Sequence, residues 1–89
     1  MIKTEVTIIN KLGLHARASA KFVSTANQFQ SRIDIIKEDR IVNGKSIMGV
    51  MSLAAHKGTQ LTFHIDGPDA EDMNQALIEL IQHKFHEKE

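Results

Sequence analysis

The chain of 89 residues contains no cysteine, so it can form neither a disulfide bond nor a thiolate metal site, and this fits a reducing compartment. It also lacks any run near the roughly 18 apolar residues that a membrane-spanning helix needs. Residues 1–5 alternate apolar and polar side chains and do not have the apolar core of a signal peptide. We therefore expect a cytoplasmic protein without direct membrane insertion.

The sequence has no excess charge of either sign, because eleven basic residues balance eleven acidic ones. Such a chain creates no long-range field that would attract nucleic acid or an anionic membrane. Tryptophan and tyrosine are absent, and no basic cluster surrounds the four phenylalanines. We expect those rings in the core rather than stacked on bases, and we predict no nucleic-acid partner.

The remaining composition is that of an ordinary globular domain, with 42% hydrophobic and 25% charged residues. A chain of this length holds one hydrophobic core. The sequence shows no internal repeat, linker or low-complexity segment. We expect a single domain over residues 1–89, and a monomer is the default because no feature predicts an oligomer.

The first half of the chain changes its hydrophobic period once. Residues 2–9 alternate with a period of two, which predicts a strand with one buried and one solvated face. A turn over residues 10–13 follows, in which Gly13 can adopt a backbone conformation that other residues avoid. From residue 16 to about 27 the period becomes that of an amphipathic helix. Its predicted apolar stripe comprises Ser19, Phe22, Val23 and Ala26.

The second half of the chain predicts five further elements. They are a strand over residues 31–37, a return strand over 40–43, a short helix over 47–53, a strand over 60–66 and a helix over 70–85. Ser46 and Asp69 are the expected N-caps of the two helices. The order is β-α-β-β-α-β-α. Since alternating strands need cover on one face only, we expect an α+β fold with three helices on one face of a four-stranded antiparallel sheet.

A histidine lies at the predicted start of the first helix. In the segment Gly13-Leu14-His15-Ala16-Arg17, the His15 ring meets backbone N–H groups that have no partner within the helix and carry a partial positive charge. That field favours the neutral, nucleophilic imidazole. The amides of Ala16, Arg17 and Ala18 can bind the oxygens of a phosphoryl group, and the Arg17 guanidinium adds positive charge. The segment thus suggests a phosphoryl-accepting histidine.

On local chemistry alone, such a histidine is more often an ordinary cap or a solvated side chain. Residues 13–17, however, resemble the active-site signature of the HPr family, the histidine-containing phosphocarrier proteins of the bacterial phosphoenolpyruvate-dependent sugar phosphotransferase system. A second motif of that family, Gly-Lys-Ser-Ile-Met-Gly-Val-Met-Ser-Leu, occupies residues 44–53. The resemblance extends over the whole chain and implies an open-faced β-sandwich.

The resemblance assigns roles to two residues of the first motif. His15 matches the histidine that accepts a phosphoryl group on Nδ1 from enzyme I and passes it to enzyme IIA components of sugar transporters. Arg17 matches an arginine that balances charge during the transfer. The resemblance therefore implies a phosphocarrier and not an enzyme, and we predict no cofactor.

Ala18 departs from the family pattern, which commonly has proline at this position. Proline suits the first turn of a helix, because its missing N–H would have had no partner there. Ala18 restores that N–H and should loosen the turn slightly. We predict retained activity with an altered lifetime of the phosphohistidine.

Ser46 lies in the second motif and is, from the residues alone, a plain N-cap. The resemblance implies a further role, because in many members of this family the matching serine is phosphorylated by a dedicated HPr kinase/phosphorylase, which slows transfer through the histidine. Residues 44–49 look like the version that this kinase recognises. They do not form a nucleotide-binding P-loop, since Asp39 stands where that loop needs glycine.

The short second helix carries more apolar residues than two turns can bury. We expect Ile47, Met48 and Met51 to remain exposed near His15 as a docking patch, because flexible methionines suit a surface that meets several partners. Packing of Met48 and Met51 under the sheet is the alternative. On the first helix, the residues that would border the patch are Ala20, Ser24 and Asn27.

The other histidines, His56, His64, His83 and His86, have no special context. His83 and His86 are three residues apart, but we expect them on a solvated, fraying helix end, where His83 and Lys84 complement the helix dipole. Without further ligands we predict no metal site.

Two other functions remain open. A nitrogen-branch carrier would use the same chemistry with a regulatory output, although the motif around Ser46 favours the sugar-type relative. Alternatively, the chain is a binding module that never accepts phosphate and acts through Ile47, Met48 and Met51.

Overall fold

The computed structural model describes all residues from Met1 to Glu89. The elements are β1 (Ile2–Thr7), α1 (Ala16–Ala26), β2 (Arg32–Lys37), β3 (Arg40–Asn43), α2 (Ile47–Ser52), β4 (Gln60–Asp66) and α3 (Ala70–Gln82), followed by a 3-10 turn, Lys84–His86. The predicted element order and fold class are confirmed. None of the helices combines the length and apolar character that crossing a bilayer requires.

The four strands form one antiparallel sheet in the order β1-β4-β2-β3. In β4, Phe63 pairs with Thr4 of β1 on one side and with Ile35 of β2 on the other. Every second residue of β4 is buried, namely Leu61, Phe63 and Ile65. The alternation in the sequence therefore becomes one sheet face under the helices and one face towards solvent.

The hydrophobic core lies between the sheet and the helices. Phe22 of α1 packs edge-on against Phe63 of β4, with ring centroids 5.6 Å apart. The predicted stripe of α1 is buried as expected. In α3, Ala76 is only partly buried, although the helical period of residues 70–85 predicts it on the apolar face. The buried residues of α3 include Met73, Leu77, Leu80 and Ile81.

The two predicted N-caps behave differently. Ser46 caps α2, because its Oγ accepts a hydrogen bond from the N–H of Gly49 at 3.0 Å. Asp69 occupies the N-cap position of α3 but makes no cap bond. Its carboxylate instead accepts from the Ser31 hydroxyl at 2.6 Å and from the N–H groups of Gln30 and Ser31 at 2.9 Å. Asp69 therefore ties the start of β2 to α3.

The last helix is shorter than the sequence predicts. α3 ends at Gln82 rather than near residue 85, and it has no basic residue in its last turn. Lys84, Phe85 and His86 then adopt positive φ angles of 56°, 56° and 63°. This reversal carries Phe85 into the core, where it is fully buried. The expected helix end and basic last turn are wrong because the chain reverses to bury an aromatic ring.

Candidate functional site

His15 is the N-cap residue of α1, and the turn before it sets its position. Gly13 has a φ of +67°, and a Cβ atom there would collide with the carbonyl oxygen of Ala55. The N–H of Leu14 donates to that same oxygen at 2.8 Å. The predicted conformational role of Gly13 is confirmed, and the turn holds His15 at the entrance of the helix.

The first turn of α1 leaves its backbone donors open. The His15 side chain makes no cap hydrogen bond, and no protein acceptor takes the N–H groups of Ala16, Arg17 or Ala18. The first amide with a partner belongs to Ser19, which donates to the carbonyl of His15 at 2.8 Å. Unpaired amides at the positive end of the helix dipole form an anion-binding position.

The His15 ring is accessible, with 30% of its side chain exposed. Its Nε2 atom lies 2.6 Å from Oε2 of Glu87, whereas Nδ1 has no protein partner. The ring lies in an open depression that is also lined by Lys11, Leu12, Ala16, Arg17, Glu87, Lys88 and Glu89. One ring nitrogen is thus bound and the other is free.

Arg17 is exposed and lines the same depression as His15. None of the three ion pairs of the structure includes Arg17, and the guanidinium makes no hydrogen bond to the protein. A planar guanidinium without an internal partner can bind two oxygens of an anion at once.

Asn10 and Glu87 belong to the site although no pattern in the sequence indicates them. Glu87 Oε1 accepts from Nδ2 of Asn10 at 3.0 Å, and the fully buried Asn10 also donates to the carbonyl of Gly13 at 2.9 Å. Burial raises the pKa of Glu87, but hydrogen bonds from Asn10 and His15 and the positive charge of nearby Lys21 together bring the pKa below its ordinary value. Glu87 is therefore ionised at neutral pH. Its contacts span 72 and 77 positions in the chain, so local sequence carries no signal for them.

The short helix α2 divides its apolar residues between core and solvent. Val50 is buried, whereas Ile47, Met48 and Met51 are exposed, with Met48 at 79%. Packing of these methionines under the sheet is therefore wrong. The second apolar residue that turns inward is Leu53 at the C-cap.

The residues of α1 and of its C-cap that are predicted to border this surface are also exposed, and α1 packs directly against α2. They are Ala20, Ser24 and Asn27. Leu12, which the sequence patterns do not single out, is exposed as well and lies beside His15.

No group of three or more metal-ligating side chains comes together in the structure. His83 and His86, predicted on one helix, instead follow the end of α3 with ring centroids 6.1 Å apart.

Comparisons with known proteins agree over the whole chain. Residues 2–83 match the family described as "PTS HPr component phosphorylation site". The phosphocarrier protein HPr of Neisseria meningitidis serogroup A is 54% identical over 89 residues, which cover 100% of both chains.

Solved structures give the same answer. HPr-C-His from Thermoanaerobacter tengcongensis is 44% identical with a TM-score of 0.96 and covers 100% of both chains. The phosphocarrier protein HPr from Bacillus anthracis str. Ames is 43% identical with a TM-score of 0.87, over 91% of this chain and 96% of that chain. The chain therefore belongs to the HPr family, the phosphocarrier proteins of the phosphotransferase system, and it is a carrier rather than an enzyme.

Proposed function

We propose that this protein accepts a phosphoryl group from phosphoenolpyruvate through enzyme I on Nδ1 of His15. It passes the group to enzyme IIA components of sugar transporters, as a monomer in the cytoplasm. The start of α1 carries this proposal, because a partly exposed imidazole occupies its N-cap position and the three amides of its first turn have no protein partners. Phosphoryl transfer depends mainly on positioning and charge stabilisation, and this site offers both.

In the uptake step, the Nδ1 lone pair attacks the phosphorus atom carried by enzyme I, and the N–P bond forms as the bond to the donor breaks. Negative charge on the phosphoryl oxygens is then met by the open amides of α1 and by the Arg17 guanidinium. Delivery reverses these events towards a nucleophile of enzyme IIA. Because the ring lies in an open depression, two different proteins can reach it in turn.

Labelling with enzyme I and labelled phosphoenolpyruvate tests this proposal. We expect acid-labile label on the wild-type protein and none on His15→Ala. His56→Ala removes another exposed histidine and should label like wild type. Label retained by His15→Ala would contradict the assignment. An unlabelled wild-type protein that still binds its partners would favour the binding-module alternative.

We propose a regulatory phosphorylation at Ser46 by an HPr kinase/phosphorylase. Ser46 directly precedes the exposed Ile47 and Met48, so a phosphoryl group would add about −1.5 to −2 charges beside an apolar surface. We expect Ser46→Asp to slow label uptake at His15 and Ser46→Ala to leave it unchanged. Equal rates for both variants would contradict this role.

We propose that partners dock on the exposed surface that α1 and α2 share. Apolar side chains on α2 beside small polar ones on α1 suit a surface that contacts more than one protein. The proposed docking residues are Ala20, Ser24, Asn27, Ile47, Met48 and Met51. A nitrogen-branch carrier would use the same site, and the enzyme IIA component that accepts label from the protein distinguishes the two outputs.

A further inference from the structure

We propose that Glu87 is a positioning residue for His15, whose carboxylate holds the ring with a proton on Nε2 and thereby leaves Nδ1 free to react. This inference rests on the proposed function of His15. It concerns a contact between the two ends of the chain that neither motif of the sequence contains.

The hydrogen-bond chemistry of Glu87 fixes the tautomer. An ionised carboxylate can only accept hydrogen bonds, and Glu87 Oε2 lies 2.6 Å from Nε2 of His15. Nε2 must therefore carry the proton in this contact. A neutral imidazole has one N–H, so Nδ1 then presents a lone pair. The bond to one ring nitrogen selects the other as the reacting atom.

Glu87 is itself held in place by Asn10. The amide group of Asn10 donates both to Glu87 Oε1 and to the carbonyl of Gly13. If the amide group of Asn10 were flipped, its oxygen would face two other acceptor oxygens, those of Gly13 and Glu87. The Nδ2 atom must therefore point towards them. Because Asn10 donates in this contact, the side-chain atom of residue 87 that it meets must be a hydrogen-bond acceptor.

The tail segment, residues 84–89, is anchored on both sides of Glu87. Before it, Phe85 is buried in the core and its carbonyl accepts from Lys21 Nζ at 2.6 Å. After it, the N–H of Lys11 donates to the carbonyl of Glu89 at 2.7 Å. With both flanks fixed, Glu87 loses little further conformational freedom when it binds the ring.

Glu87→Gln is the sharpest test, because it keeps the size of the side chain and changes only its hydrogen-bond pattern. The new amide has a single acceptor oxygen, which Asn10 requires, so its NH2 group faces Nε2 of His15. Nε2 must then accept, and the proton moves to Nδ1. At pH 8.5, 15N NMR of the unphosphorylated protein should show the Nε2–H tautomer in wild type and more Nδ1–H tautomer in the variant.

Glu79→Gln is the matched control, since it removes the same charge from an exposed position of α3 that does not line the depression around His15. We expect it to leave the tautomer and the labelling rate unchanged. Glu87→Gln should slow label uptake by about two- to tenfold, the range that corresponds to one net hydrogen bond. A wild-type tautomer in Glu87→Gln, or equal slowing by both variants, would overturn the positioning role.

A second variant covers the case in which Glu87→Gln does not fold. Glu87→Ala should remove the downfield, hydrogen-bonded Hε2 resonance of His15, and persistence of that resonance would also overturn the proposal. These spectra need no enzyme I. Failure of the proposed function, in which no variant takes up label, is therefore a separate result.

Discussion

The starts of α1 and α2 differ in whether a side chain accepts a hydrogen bond from their unpaired backbone N–H groups. Every α-helix begins with N–H groups that lack partners within the helix. At α2, Ser46 Oγ accepts one of them, from Gly49, at 3.0 Å. At α1 no side chain does so, and the amides of Ala16, Arg17 and Ala18 stay open.

The start of α2 is thus capped within the chain, whereas the start of α1 keeps donors that a ligand can use. A side-chain cap is worth about 1 kcal/mol, which α1 forgoes by having His15 at the N-cap position. In exchange, its open donors can bind an anion from outside the chain. The absence of a cap at α1, next to a free Arg17, therefore points more directly to phosphoryl chemistry than the histidine alone.

The largest expected effect comes from Gly13→Ala, which disturbs the turn that places His15. A side chain at a φ of +67° is strained, and its Cβ would collide with Ala55, so we expect a loss of about 2–4 kcal/mol in the free energy of unfolding. Gly58→Ala is the control, because Gly58 also has a positive φ, 92°, but open space around it. Denaturant titration should show a smaller loss there, about 1 kcal/mol, and equal losses would contradict the role of the contact with Ala55.

Arg17→Ala should slow label uptake by about 10- to 100-fold, because the phosphoryl oxygens lose a charged hydrogen-bond donor worth about 1.5–3 kcal/mol. Its free energy of unfolding should not change, since Arg17 has no protein partner. Arg40→Ala is the converse control, because Arg40 bonds to Ser52 at the end of α2. It should leave uptake unchanged, and slowing equal to that of Arg17→Ala would refute a specific role for Arg17.

Ser46→Ala gives α2 an uncapped start like that of α1. We expect a loss of about 1 kcal/mol in the free energy of unfolding, measured by denaturant titration, with label uptake at His15 preserved. Ser24→Ala, an exposed serine within α1, should be neutral in the same titration. An equal loss for both variants would show that the Ser46 cap contributes nothing.

At the start of α3, the contribution of Asp69 to stability depends on pH. The hydrogen bond from the Ser31 hydroxyl is the largest of the contacts that hold the pKa of Asp69 below its ordinary value of 3.8. A lowered pKa means that Asp69 adds stability above pH 3.8 and that this contribution is lost as the pH falls through the folded-state value. Asp69→Asn should therefore flatten the acid side of the curve of unfolding free energy against pH. An unchanged acid side would contradict this linkage.

Ala18→Pro removes an N–H that has no protein partner, and proline suits the first turn of a helix, so we expect the smallest loss of stability among these variants although Ala18 is buried. The phosphohistidine lifetime should change, since that N–H can otherwise reach the phosphoryl group. Hydrolysis rates of the phosphorylated wild type and variant measure this, and identical lifetimes would show that the Ala18 amide does not contact the phosphoryl group.

Local sequence patterns predict those structural features that depend only on residues a few positions apart in the chain. The alternation in β4 and the Ser46 cap follow from neighbouring side chains, and the preference for glycine at position 13 follows from the positive φ of the turn. The collision with Ala55 at that position is a long-range contact, which no local pattern predicts. The end of α3 does not, because Phe85 leaves the helix to fill a space that exists only once the sheet and helices have packed.

The same distinction applies to the site. The position of His15 at a helix start is readable from the period of residues 16–27, and the position of Arg17 in the first turn follows with it. That the guanidinium has no protein partner is a finding of the structure. Glu87 and Asn10 reach His15 through contacts between the two ends of the chain. No spacing in the sequence encodes such contacts.

The most direct test of the open helix start is to identify the phosphorylated atom. The protein, labelled with 15N in its histidines, is phosphorylated by enzyme I and phosphoenolpyruvate, and its 31P–15N coupling is recorded by NMR. We predict coupling to Nδ1 of His15, the ring nitrogen without a protein partner. Coupling to Nε2, or to a histidine other than His15, would contradict the assignment.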